Sequence, residues 1–151
     1  MKVVIMGCGR VGAALADELD REGNDVLVLD TDPSAFRFLP DGFSGSTYVG
    51  SGIEIDTLRK IGVEKADVFV SATRGDNRNV MAAQIARHIF GVKVVASRVF
   101  DPLREEMYRY MGVRTINPTR VQAKRLKRII EARSDEESIE IAREFTEKDG
   151  D

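Results

Sequence analysis

Residues 2–12 read Lys-Val-Val-Ile-Met-Gly-Cys-Gly-Arg-Val-Gly, a short apolar run that ends on a G-x-G-x-x-G and leads straight into a helical pattern. Val11, Ala14, Leu15 and Leu19 recur at the spacing of one helix face before Gly23 stops the turn. This junction constrains the fold more than any other feature, because each glycine has a physical task. Gly7 permits a tight turn, Gly9 lets backbone approach a bound group, and Gly12 lets the helix pack closely on the strand. The helix beginning near Val11 presents free N–H groups and the positive end of its dipole at the loop, which predicts a phosphate site.

The same alternation continues down the chain. Apolar, β-branched runs predict strands at 2–6, 25–29, 46–49, 67–71, 93–98 and 115–117. The first, second, fourth and fifth are nearly continuous in Val, Ile and Phe, as expected of strands covered by helices on both faces; the third and sixth are weaker and belong at the sheet edges. Helical patterns fall between them at 11–22, 33–39, 55–61, 76–90 and 102–111, with Asp76 as the expected cap of the fourth. The expected fold is therefore α/β, a Rossmann-like, doubly wound, parallel six-stranded sheet. At 151 residues, with 42% hydrophobic and 32% charged, the chain has material for one domain.

From Thr119 the pattern changes to a strongly basic helix, 119–133, with Thr119 as its cap and a narrow stripe of Val121, Leu126, Ile129 and Ile130. Residues 119–133 hold six basic residues against one acidic, whereas 134–151 hold eight acidic against two basic. We take 1–133 as the domain and 134–151 as an acidic tail or the start of a further domain. Ser134 and Glu137 have capping-box spacing, yet Ile139 and Ile141 alternate as a strand would, so both readings stay open. The total charge of −2 gives no electrostatic reason to expect nucleic acid or an anionic membrane as the main partner. The single cysteine, Cys8, excludes a disulfide within the chain and suits a reducing cytoplasm. The opening apolar run is far short of the ~20 residues of a membrane span and lacks the pattern of a secretory signal.

Asp30 ends the second strand 18 residues after Gly12, close to the spacing of a carboxylate that holds an adenosine ribose. A 2′-phosphate there would meet like charge, so NADP is disfavoured. Asp32 either shares that role or starts the Asp32-Pro33 turn. Arg10 can bind phosphate with paired donors or stand exposed at the helix start. Thr73, after the fourth strand, can reach a ribose or phosphate, with Asn79 as a hydrogen-bonding brace for its loop. No catalytic residue is expected: His88 is the sole histidine, no zinc set of usual type can be assembled, and 18 residues after Arg133 are too few for a substrate domain.

The residues also resemble a known family, the TrkA N-terminal domain (TrkA-N, KTN or RCK) of potassium-transport regulators. Met6 to Gly12 resembles its G-x-G-R-V-G loop, arginine included, and Val28-Leu29-Asp30-Thr31-Asp32 its second-strand ending. Further matches are Leu58 with Gly62-Val63, Ala66-Asp67, Ala72-Thr73 with Asp76 and Asn79, Ala96-Ser97-Arg98-Val99 before Asp101-Pro102, and Gly112-Val113 before Asn117-Pro118-Thr119. The chain departs from the pattern after the third strand, where the family often has Gly-Asp and Gly50 is here followed by Ser51 and Gly52.

The resemblance implies a cytoplasmic, non-enzymatic sensor of NAD(H), ATP, ADP or AMP. It would form a homodimer or higher ring and act on a membrane potassium channel or transporter without entering the bilayer. Helix 119–133 would be the crossover helix that packs on a partner copy. The implied nucleotide-binding positions are Gly7, Cys8, Gly9, Arg10, Val11, Gly12, Asp30, Thr31, Asp32, Gly50, Ser51, Ala72, Thr73 and Arg98. Two rival readings are a small NAD-dependent oxidoreductase or detached cofactor-binding domain, and a structural subunit whose site is vestigial.

Overall fold

The computed structural model describes residues 1–132 and 134–147. Strands β1 (Lys2–Met6), β2 (Asp25–Asp30), β3 (Ser46–Val49), β4 (Val68–Ser71), β5 (Val94–Arg98) and β6 (Arg114–Ile116) form one sheet in the order β3-β2-β1-β4-β5-β6. Every neighbouring pair is parallel, so this is the doubly wound α/β sheet expected, with its two weak runs at the edges. The chain builds outward from β1 to β3, then crosses back to lay β4 against the other side of β1. The crevice above the C-terminal ends of β1 and β4 is therefore the topological switch point, where ligands bind in such sheets.

Both faces of β1 are apolar, and its alternate residues enter different cores. Val3 and Ile5 join Val26 and Val28 beneath α1 (Arg10–Arg21), which contributes Ala13 and Ala16. Val4 and Met6 join Leu29, Phe69 and Val95 beneath α2 (Ile55–Lys60) and α3 (Asp76–His88), which supply Leu58, Ala82, Ala83 and Ala86. Ile5, Leu29, Leu58 and Phe69 are fully buried, each worth about 1.5–3 kcal/mol. The three alanines of α3 bring that helix close to the sheet, and its last residue, His88, is exposed.

Two expected caps fall elsewhere. Pro118, with its fixed φ, takes the first helical position of α5 (Pro118–Glu131), which moves the cap to Asn117; its side chain accepts from Arg120 N at 3.0 Å. Thr119 lies inside the helix and donates to the Phe100 carbonyl at 3.2 Å. Asp76 is the first residue of α3 rather than its cap. Its carboxylate accepts from Phe100 N and Asp101 N at 2.9–3.0 Å, because the loop between β5 and α4 (Pro102–Tyr110) brings two free donors across to it. Of the two readings of the C-terminal segment, the structure takes the helix, α6 (Asp135–Glu147), with Ser134 Oγ accepting from Glu137 N at 3.1 Å. An Arg128–Glu144 ion pair joins α6 to α5. Position 133 and residues 148–151 of the expected tail lie outside the described residues. Among the described residues, no helix is long and apolar enough to cross a membrane.

Candidate functional site

The glycine loop lies at the C-terminal end of β1. Gly7 has φ of +103°, a region closed to most side chains, and its N–H donates to the Leu29 carbonyl at 2.7 Å. A Cβ there would also press on Thr73 N at 3.0 Å, so this loop and the one after β4 are in contact. In the first turn of α1, a Cβ on Gly12 would fall on the Gly7 carbonyl oxygen, which is why the helix can close on the loop. The first helical bond runs from Ala13 N to Gly9 O at 2.8 Å, leaving the N–H groups of Arg10, Val11 and Gly12 without acceptors inside the helix. Free N–H groups at a helix start are the arrangement that the sequence reading asks of a phosphate site.

Asp30 is half-buried at the end of β2. One of its oxygens accepts from Cys8 N at 2.7 Å and the other from Asp32 N at 2.9 Å, so the carboxylate braces the glycine loop. Each oxygen keeps a second lone pair, so two acceptor positions remain for a ligand. Asp32 takes the turn role: it caps the 3-10 turn Pro33–Phe38, accepting from Ser34 Oγ and N, and these bonds hold its carboxyl below the usual range. Cys8 is wholly buried, and burial, reinforced by the Asp30 charge, pushes its thiol up to about 11. A thiol kept neutral is a small packing group, not a nucleophile.

The opposite wall follows β4 and β5. Buried Asn79 accepts from Thr73 N (2.9 Å) and Thr73 Oγ1 (2.6 Å) and donates to the carbonyls of Thr73 and Arg98 (both 2.9 Å), so one side chain sets the loop and the end of β5 together. The Arg98 guanidinium donates to the Thr73 carbonyl at 2.9 Å and lies 4.5 Å over the Phe100 ring, while its Nε is buried without an acceptor. Desolvation lowers the Arg98 pKa and neighbouring Arg74 adds to this, partly offset by Asp76.

Between these walls lies a cleft of about 900 Å³. It collects Gly7, Cys8, Gly9, Arg10, Val11, Asp30, Thr31, Asp32, Gly50, Ser51, Ala72, Thr73 and Arg98, every position expected to bind except Gly12. Gly12 sits behind, where it supports Gly7. Sequence reasoning missed Arg37 and Phe38 of the 3-10 turn, Phe100, and Arg74 and Arg78. The available signal was position, since all of them follow strand ends at the edge where such sheets bind ligands.

The model of the TrkA-N domain matches residues 3–118, most of the chain. The chain belongs to the TrkA-N domain family. It is 46% identical over 128 residues to the Trk system potassium uptake protein TrkA of Streptomyces coelicolor, covering 85% of this chain and 57% of that protein. The chain thus spans a little over half the length of that relative. Its fold matches the TrkA-N domain of the inner membrane protein ybaL from Escherichia coli, with a TM-score of 0.76 at 15% identity over 86% of this chain and 96% of that one. It also matches GsuK, solved bound to ADP and, as a channel, bound to NAD. Both give a TM-score of 0.74 at 23% identity over 86% of this chain, and 34% and 23% of those chains. These structures establish the TrkA-N fold for this chain.

Proposed function

We propose that this domain senses an adenine nucleotide, NAD(H), ATP, ADP or AMP, on behalf of a potassium channel or transporter, as a regulator and not as an enzyme. The observation that carries this reading is the cleft at the switch point. There Arg10 and Val11, with N–H groups unpaired within α1, and Asp30, with its spare acceptor positions, line the space that an adenosine phosphate needs. The potassium-uptake name of its relative and the ADP and NAD held by GsuK support the assignment. In the proposed complex, phosphate sits on the first turn of α1 beside Arg10, ribose hydroxyls donate to Asp30, and the base lies between Ser51 and the 3-10 turn.

A bound nucleotide would tie together loops from β1, β2, β4 and β5. It can alter a partner only by binding one arrangement of subunits better than another. The surface around α4 and α5 supports such subunits, since Leu103, Tyr110, Leu126 and Ile130 are all largely exposed. An apolar surface of this kind suits a second copy of the chain, in a homodimer or a ring. The proposed location is the cytoplasmic face of the membrane, held there through the transporter and not by insertion.

The test is thermal unfolding with NAD, NADH, ATP, ADP and AMP. A true ligand at 100 times its Kd adds about 2.7 kcal/mol of stability. Asp30→Ala should lower nucleotide affinity by about tenfold or more, since hydrogen bonds to a charged acceptor are lost. Absence of stabilisation by all five would overturn the proposal.

A further inference from the structure

Phe100 faces two ways. The residue lines the cleft, with its ring 4.5 Å from the Arg98 guanidinium, while its carbonyl accepts from Thr119 Oγ1 in the first turn of α5 at 3.2 Å. The rest of its loop is equally engaged. Phe100 N and Asp101 N donate to Asp76 in the first turn of α3, and the Asp101 carboxylate accepts from Leu103 N at the start of α4. The Pro102 carbonyl accepts from Arg120 of α5 at 3.3 Å. Val99, fully buried, packs with Val80 of α3 and Tyr108 of α4 in a small cluster of its own. Residues 99–102 therefore form one bonded piece that meets the cleft on one side and α5 on the other.

The helix α5 is free to answer. None of its 14 residues is buried, and its contacts with this piece lie in its first turn, where Arg120 also meets the buried Glu105 at 3.6 Å. A helix of that length is about 20 Å long, so a rotation of about 10° at its first turn carries its far end by about 3.5 Å. Leu126 and Ile130, both largely exposed, ride on the far half.

Resting on the nucleotide reading above, we propose that Thr119 is a positioning residue that ties the direction of α5, through the Phe100 carbonyl, to occupancy of the cleft. A ligand in the cleft lies against Phe100 and Arg98 and favours the arrangement of the loop that packs best on it. The loop carries that arrangement to Thr119 and Arg120, and α5 turns Leu126 and Ile130 with it. The coupling is reciprocal, so a subunit docked on those two residues also biases the cleft.

Titration of the 15N-labelled wild type, Thr119→Val and Thr119→Ser with ATP, followed by two-dimensional NMR, tests this. The amides of Cys8 and Gly9 read binding, and those of Arg120, Val121 and Gln122 read α5. In the wild type both sets should shift with one midpoint. Thr119→Val keeps the branched shape but loses the donor, so the glycine-loop shifts should persist while those of α5 fall by about half or more. Thr119→Ser keeps the donor and should keep the α5 response, and because Thr119 is exposed the unliganded spectra of all three should otherwise agree. Amides of α5 that stay still in the saturated wild type, or an equal α5 response in wild type and Thr119→Val, would overturn the coupling. In both of those cases saturable glycine-loop shifts leave the nucleotide reading standing, whereas no shift at any residue overturns both.

Discussion

Asn79 is the polar side chain on which the far wall of the cleft depends, and replacing it has a calculable cost. It is fully buried and makes four hydrogen bonds, two accepted from Thr73 and two donated to the carbonyls of Thr73 and Arg98. At about 1 kcal/mol each, Asn79→Ala should cost about 4 kcal/mol. This is a large share of the 5–15 kcal/mol typical of a whole domain. With a urea m-value of about 2 kcal/mol/M, the unfolding midpoint should fall by about 2 M. Asn79→Asp should be at least as damaging, because it turns a carboxylate oxygen toward two carbonyls that now accept from the amide. Urea unfolding followed by circular dichroism reads both variants. A midpoint shift below about 0.5 M at unchanged m-value would refute the reasoning.

Gly12→Ala places a methyl group on the Gly7 carbonyl oxygen, so it should destabilise the domain by about 2 kcal/mol or more in the same assay. Cys8 should react slowly with a thiol reagent in the native protein and quickly in urea. Because folding raises its pKa to about 11, the folded state keeps a proton that the unfolded state has lost. The stability from this thiol is thus complete below about pH 9 and lost as pH rises toward 11, and Cys8→Ala should flatten that slope in urea midpoints measured across this range. Leu126→Glu with Ile130→Glu puts charge on the exposed stripe of α5 and should shift the protein toward monomer in light scattering. A wild-type protein that is already monomeric at about 100 μM would contradict that surface's role.

The sheet was legible because β1, β2, β4 and β5 are covered by helices and so are nearly continuous in apolar residues, a pattern that needs no tertiary knowledge. The glycine loop was legible for a similar reason, since the tasks of Gly7 and Gly12 are set by backbone within a few residues. What escaped depends on partners distant in sequence. Asp76 has the local look of a cap, yet two N–H groups of residues 100 and 101 claim its carboxylate. Asp30 reads as a ribose ligand, but its brace on Cys8 N appears only once β1 and β2 lie side by side. Arg74 and Arg78 look like ordinary solvated residues until the fold sets them in the lining of the cleft. For the segment after Ser134 the local signals conflict, and its packing and ion pair with α5 accompany the helix.

The central claim is that an adenine nucleotide binds in the cleft above β1 and β4. Titration of the 15N-labelled protein with ATP, followed by two-dimensional NMR, tests it most directly. The account predicts saturable shifts of the amides of Cys8, Gly9, Arg10, Val11, Asp32 and Thr73, with those of α6 unmoved. Shifts that do not saturate, or that map to α5 and α6 and leave the glycine loop unchanged, would contradict it.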